Sequence, residues 1–319
     1  MKKWFKRLWL STLLIVCGCG RPVDDIGPPP PPTAYGVPSA ERVRFEEIPQ
    51  PNGKKTTDPE IEGLNWNRFA TTNFSIIAVD SSQGRYLQSN IEKMKEWTLS
   101  RWGFPNIPFS AECRILCVPN KDLMQKLFQL DRSYAEVRRD KSGRITLSCL
   151  WLVLDGPPAE VIPGALTMIC LAEYEQATGA KFGFWAHRGI ALLNGNLPRI
   201  RSNLAAISEP IQQDQRLHFS SAFRVTEDQH KKKPKEDQDL FDREAAMICL
   251  LLRKEFGQKN FLTFIPTQAG EQDLYKVFGF KSYGEFDATL KRYMLHLSFD
   301  IKEGRTPDAY LSIENPKGG

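Results

Sequence analysis

The spacing of apolar residues changes period near the middle of this chain. Residues 74–79 form a short β-rich run, and over 82–102 Leu87, Ile91, Met94 and Trp97 recur at helical spacing, so a strand followed by a helix is expected. Gly103 ends that helix. Residues 113–118 read as a second strand, after which Asn120 caps a short helix carrying Leu123, Leu127 and Leu130. Residues 133–138 and 144–154 read as two further strands with Lys141-Ser142-Gly143 as their turn, the second apolar nearly throughout, as a buried strand is.

Beyond Pro158 the texture is helical: one segment over about 159–178, one over 185–194, and three or four within 240–297. Ser282 with Glu285 three residues on marks the start of the last. The pattern predicts an α+β fold, a strand-rich half (60–157, a mixed sheet with helices) leading into a helical half (158–300). The stretch 226–239 holds Lys231, Lys232 and Lys233, but neighbouring Glu and Asp neutralise them, so it reads as a solvated polar loop. Residues 301–319 read as a C-terminal tail.

Ahead of the globular region, Lys2, Lys3, Lys6 and Arg7 precede an apolar run over 8–16, the layout of a secretory leader. The run falls short of the ~20 apolar residues that span a bilayer. Val16-Cys17-Gly18-Cys19 resembles a bacterial lipobox; at Cys17 the bulky Val16 would stand where a small residue is required, so Cys19 is the lipidation candidate. That resemblance implies a lipoprotein signal peptide over 1–18 and a lipid-anchored protein of the bacterial cell envelope. Gly20, rather than Asp, resembles the sorting pattern for the periplasmic face of a Gram-negative outer membrane. Plain secretion with a free Cys19 is the alternative. Five consecutive prolines, Pro28 to Pro32, make 19–59 a Pro-rich disordered tether rising ~3.1 Å per residue where it is polyproline II.

Composition narrows the picture further. With 41% hydrophobic and 25% charged residues, the chain is neither collagen-like nor wholly disordered. The formal charge of +5 falls to +1 without the four leader cations, which gives no support to a nucleic-acid partner. Beyond the lipobox there remain Cys113, Cys117, Cys149, Cys170 and Cys249, an odd number on apolar runs, which reads as buried free thiols rather than a disulfide framework. Cys113 and Cys117 share one strand face, with no further Cys or His to complete a zinc site.

Phe184-Trp185-Ala186-His187-Arg188-Gly189-Ile190-Ala191-Leu192 resembles the W-x-x-E-G-x-A stretch of the peptidase MA-like gluzincin metallopeptidases, the thermolysin clan, in its Trp, Gly, aliphatic and Ala positions. The run Gly164-Ala165-Leu166-Thr167-Met168-Ile169-Cys170 is similar to the apolar frame of the H-E-x-x-H helix before it. Stretches at 245–264 and 277–282 resemble the helices that end such domains, so the resemblance covers about residues 70–295. It implies two zinc-binding histidines four apart on one helix, a general-base Glu between them, and a ligand Glu from the next helix. Carried over position by position, Gly164 and Met168 stand where the histidines belong, Ala165 replaces the general base, and Arg188 replaces the ligand Glu. Twenty residues separate Met168 from Arg188, about the interval of such a His-to-Glu pair.

Gly and Ala offer no donor atom, Met a thioether too soft for ordinary Zn²⁺, and Arg a permanent positive charge where a dication should sit. The resemblance thus implies a gluzincin-like architecture with no catalytic residue, no metal and no cofactor. Arg188 is expected to fill the vacated space and pair with Glu173 or Glu175. Glu173, His187 and Trp185 are further candidates for a cleft between the halves; Trp97, Trp102, Trp151 and Trp185 read first as packing residues. Glu173 and Glu175, two apart, do not share a helical face. The expectation is an envelope lipoprotein with an inactive peptidase-like domain that binds a peptide or protein partner. The alternatives are an active hydrolase, with His187 and Glu173 or Glu175 around a metal, and a structural envelope-assembly lipoprotein.

Overall fold

The computed structural model describes residues 41–43, 51, 64–154, 158–215, 218–267 and 269–313. The leader, Cys19 and most of the tether lie outside them. The strand-rich half is a six-stranded mixed sheet built from β1 (Glu41–Val43), β2 (Trp66–Ala70), β3 (Phe74–Ala78), β4 (Cys113–Val118), β5 (Tyr134–Arg139) and β6 (Ile145–Val153), in the order β1-β2-β3-β4-β6-β5. Strands β3, β4 and β6 run parallel in the centre, whereas β5 turns back antiparallel to β6 and forms one edge. The central strands are almost wholly buried, which explains their near-continuous apolar sequence: a parallel sheet is covered on both faces.

Helices α1 (Ser81–Ser100) and α3 (Pro158–Thr178) cover one face, and α2 (Lys121–Phe128) the other. On the α2 side Ile77, Leu116, Val118 and Trp151 pack against Met124, Leu127 and Phe128. Full burial of each such side chain contributes about 1.5–3 kcal/mol. Asn120 caps α2 as expected, its side chain accepting the Leu123 N–H at 2.8 Å, and Gly103, at φ +84°, ends the turn after α1. The Glu92 carboxylate of α1 accepts from Thr71 Oγ1 (2.7 Å), Asn73 N (2.8 Å) and Asn73 Nδ2 (2.7 Å), which fixes the β2–β3 turn against the helix.

The helical half comprises α4 (Phe184–Leu193), α5 (Leu197–Ala205), α6 (Ser208–Gln212), α7 (Phe219–Ala222), α8 (Glu227–Lys231), α9 (Lys235–Phe256), α10 (Gln258–Phe264), α11 (Glu271–Phe278), α12 (Tyr283–Lys302) and α13 (Asp308–Leu311). Helix α9 packs along α4 at the centre of this half, and one apolar core runs from the sheet through α3 and α4 to α9. The fold is α+β, as the pattern predicts. Cys113, Cys117, Cys149, Cys170 and Cys249 are all buried and free. Among the described residues no helix is long and apolar enough to cross a membrane.

Several expectations change. The stretch 226–239 is not a loop: Thr226 and Gln229 form a capping box for α8, and α9 begins at Lys235. The tether is not structureless throughout, because Glu41–Val43 pairs antiparallel with β2. Residues 301–313 are not a loose tail, since α12 runs to Lys302 and Leu311 and Ile313 after it are fully buried. Trp102, Trp151 and Trp185 are core residues, but Trp97 is 45% exposed, with the Arg101 guanidinium 4.1 Å from its ring centre.

Candidate functional site

Helices α3 and α4 lie side by side, and the four positions of the resemblance, Gly164, Ala165, Met168 and Arg188, are all half-exposed. Spacings of one, three and four residues place Val161, Gly164, Ala165 and Met168 on one strip of α3, while Ile162, Leu166 and Ile169 turn into the core. On α4 the half-exposed residues are Phe184, Arg188, Ala191 and Leu192, again one helical face. Gly164 lies against the end of α4, where a Cβ would stand 3.3 Å from the Ala191 carbonyl and 3.4 Å from Gly195 Cα. A buried polar chain fastens the same ends: Trp102 Nε1 donates to Asn194 Oδ1 (2.8 Å), and Asn194 Nδ2 to Thr167 Oγ1 (2.8 Å).

The Trp and Gly of the second stretch have a packing explanation. Gly189 meets α9 backbone to backbone; a Cβ there would collide with the Ala245 carbonyl and lie 2.6 Å from Cys249 Sγ. Trp185 is buried against Phe223 and Phe264, with ring centres 5.0 and 6.3 Å away, so it belongs to the core and not to a cleft.

Arg188 carries the main electrostatic feature. Its Nε donates to Asp242 Oδ1 at 2.8 Å and its Nη2 to Asp242 Oδ2, a two-pronged pair between α4 and α9. Asp242 also takes His230 from α8, with Nε2 3.2 Å from Oδ1. Burial acts to raise the Asp242 carboxyl, but the bonds from Arg188 and His230 outweigh it and hold the group below its ordinary value. Burial likewise acts to lower Arg188, and the bond to Asp242 reverses that. The expected partners Glu173 and Glu175 are therefore not the ones Arg188 uses.

Those two carboxylates face different ways, as their spacing requires. Glu173 is 1% exposed and accepts from Ser110 N and Oγ (2.7 Å each) and Ser148 Oγ (3.4 Å). Beside it, buried Lys95 donates to Asn106 Oδ1 (3.1 Å) and to the Ile107 carbonyl, so both residues pin the loop ahead of β4 rather than face a cleft. Glu175 accepts from Phe182 N (2.5 Å) and lies 3.4 Å from His187 Nε2 and 3.7 Å from Arg139 Nη2. His187 is thus a buried, carboxylate-paired imidazole. Among the described residues no three His, Cys, Asp or Glu side chains are placed to hold a metal ion.

Strand β5 bounds the same region. Ala135 and Val137 turn toward α3, and Arg139 reaches the Ala172 carbonyl (3.5 Å) and Gln176 Oε1 (3.4 Å). Its outer edge has no strand partner among the described residues. The half-exposed faces of α3 and α4 and this open edge are the surfaces a chain segment could engage. Asp242 and His230 carry no local signal in the sequence: they lie 54 and 42 residues beyond Arg188, and His230 falls within the charge-alternating stretch 226–239.

Compared with models of known protein families and with curated proteins, the chain matches none.

Proposed function

We propose that this protein is a lipid-anchored component of the bacterial cell envelope, on the periplasmic face of the outer membrane in a Gram-negative cell. In this reading its folded domain is a gluzincin peptidase-like unit without the catalytic set, and it binds an extended peptide or protein segment without cleaving it. The observation that carries the reading is the fate of Arg188: at the position aligned with a zinc ligand, a guanidinium is committed to Asp242, and the aligned residues of α3 offer no nitrogen or carboxylate donor. The order of elements supports it, with a mixed sheet leading into α3 and α4 and a helical half after them. Retention of an extended segment is supported by the outer edge of β5, which has no strand partner among the described residues, since strand addition supplies main-chain hydrogen bonds without any catalytic group. The inference from architecture to ligand is by analogy of fold.

The test is incubation of the purified full chain with a tryptic digest of an unfolded protein, followed by mass spectrometry of the retained and free fractions. Retained peptides of unchanged length are expected. New, shorter peptides would favour the hydrolase instead, and no retention would favour a purely structural envelope role.

A further inference from the structure

Strand β5 is regular along an edge that has no strand partner among the described residues, and its principal neighbours are β6 and α3. The register shift in the β5–β6 hairpin places its extra residue, Thr146, in β6, so β5 itself runs without a bulge. Asp140 N donates to the Arg144 carbonyl (2.9 Å), and the Arg138 carbonyl accepts from Thr146 Oγ1 (3.3 Å), both toward the β6 side. Successive residues of a strand turn their N–H and C=O groups to opposite sides. Those of Ala135, Val137 and Arg139 therefore turn to the outer edge.

The side chains of β5 alternate between the two faces of the sheet. Ala135 and Val137 turn toward α3, whereas Tyr134 lies against Trp151 on the other face, with ring centres 5.8 Å apart. By the two-residue period Glu136 and Arg138 share the Tyr134 face. Arg138 Nε donates to Glu136 Oε1 at 2.6 Å, and the two side chains are 38% and 16% exposed. A guanidinium has more donors than that bond uses, and a carboxylate has a second oxygen. The edge thus carries one acidic and one basic position, on either side of an outward-turned Val137.

We infer that β5 selects extended peptide segments that read acidic, apolar, basic, added antiparallel so that the acidic residue stands opposite Arg138 and the basic one opposite Glu136. The inference rests on the proposed function in taking this edge as the place where a segment is held. Antiparallel addition joins the central residue to Val137 by a pair of main-chain hydrogen bonds and repeats this at Ala135 and Arg139. Residues directly opposite share a face, where opposite charges stabilise and like charges destabilise. A slip of two residues either way would set acid on Glu136 or base on Arg138, so the same two side chains also fix the register. The apolar residue between them falls beside Val137 on the α3-facing side.

The test is fluorescence anisotropy of dye-labelled peptides with the purified full chain. The first probe copies residues 133–140, with Glu-Val-Arg at its centre; two others carry Glu-Val-Glu or Arg-Val-Arg there. Wild type should bind the first at least about five-fold more tightly than either of the others, while Glu136→Arg should prefer Glu-Val-Glu and Arg138→Glu should prefer Arg-Val-Arg. The wild-type comparison stands even where a variant does not fold, and preferences within about two-fold in wild type would overturn the selectivity. Because β5 itself reads Glu136-Val137-Arg138, the chain alone is also sedimented. A monomer is expected; a dimer that Glu136→Arg dissolves would overturn the inference in favour of a second copy on this edge. The tryptic-digest measurement separates the two claims. Retained digest peptides with flat probe preferences leave the binding reading standing without the selectivity, whereas an absence of binding by digest and probes alike removes the binding reading itself.

Discussion

Asp242→Ala will destabilise the folded domain by about 3–5 kcal/mol, the range seen when one member of a buried ion pair is removed and the other is left uncompensated. Asp242 keeps only 13% of its side chain exposed, and its loss takes the direct carboxylate partner from Arg188 and from buried His230, whose ring lies against Phe184 and Phe241. Arg188 is 29% exposed, so solvent reaches part of it and the lower end of the range applies. The same carboxylate gives the fold an acid limb. Its folded value lies below the unfolded value near ~3.9, so its contribution is complete above that pH and is lost as pH falls through the folded value. Urea unfolding at pH 7 and again at about pH 3 checks both points: the gap between wild type and Asp242→Ala should narrow in acid. A gap under about 1 kcal/mol at pH 7 would show the pair to be a surface contact.

The second large effect is expected at Gly189, with a sign opposite to helix propensity. Glycine to alanine inside a helix ordinarily stabilises by about 0.5–1 kcal/mol. At Gly189 the added methyl group meets the Ala245 backbone and Cys249 Sγ, and backbone cannot swing aside as a side chain can. Gly189→Ala should therefore cost about 2–3 kcal/mol, within the range for overpacked cores, by pushing α4 away from α9. Gly284 near the start of α12 is the control, because the nearest atom to a Cβ there is Ser282 Oγ at 3.7 Å. Gly284→Ala should be neutral or stabilising in the same thermal melts. Equal effects at the two glycines would mean that α4 and α9 are not in backbone contact.

Gly189 also shows what could be read without a structure. The helix expected over 185–194 is present as Phe184–Leu193, and Gly189 within it is explained by its contact with the next long helix. The long periodic elements α1, α3, α9 and α12 and the apolar strands β3, β4 and β6 left comparable traces. Strand β2, Trp66-Asn67-Arg68-Phe69-Ala70, did not, because its two buried aromatics are three apart and break alternation. Helices α6, α7 and α8 have only four or five residues, too few for a period to show. The candidate site was legible only in what its aligned positions lack. That Arg188 turns to Asp242 rather than to Glu173 or Glu175 depends on α9 packing across α4, a tertiary event with no local signature. Similarly, His230 is one buried ring in a run of lysines and acids, and composition averages it away.

The central claim is the proposal that Arg188, committed to Asp242, stands at the position of a lost gluzincin ligand in a domain that binds and does not hydrolyse. Metal content measured by elemental mass spectrometry on the full chain, purified without chelator or histidine tag, tests it most directly. Less than about a tenth of an equivalent of any transition metal is predicted, since no donor set stands at residues 164, 165, 168 and 188. Near-stoichiometric zinc would contradict the account, because a protein that retains the ion through purification must bind it with ligands other than those four positions.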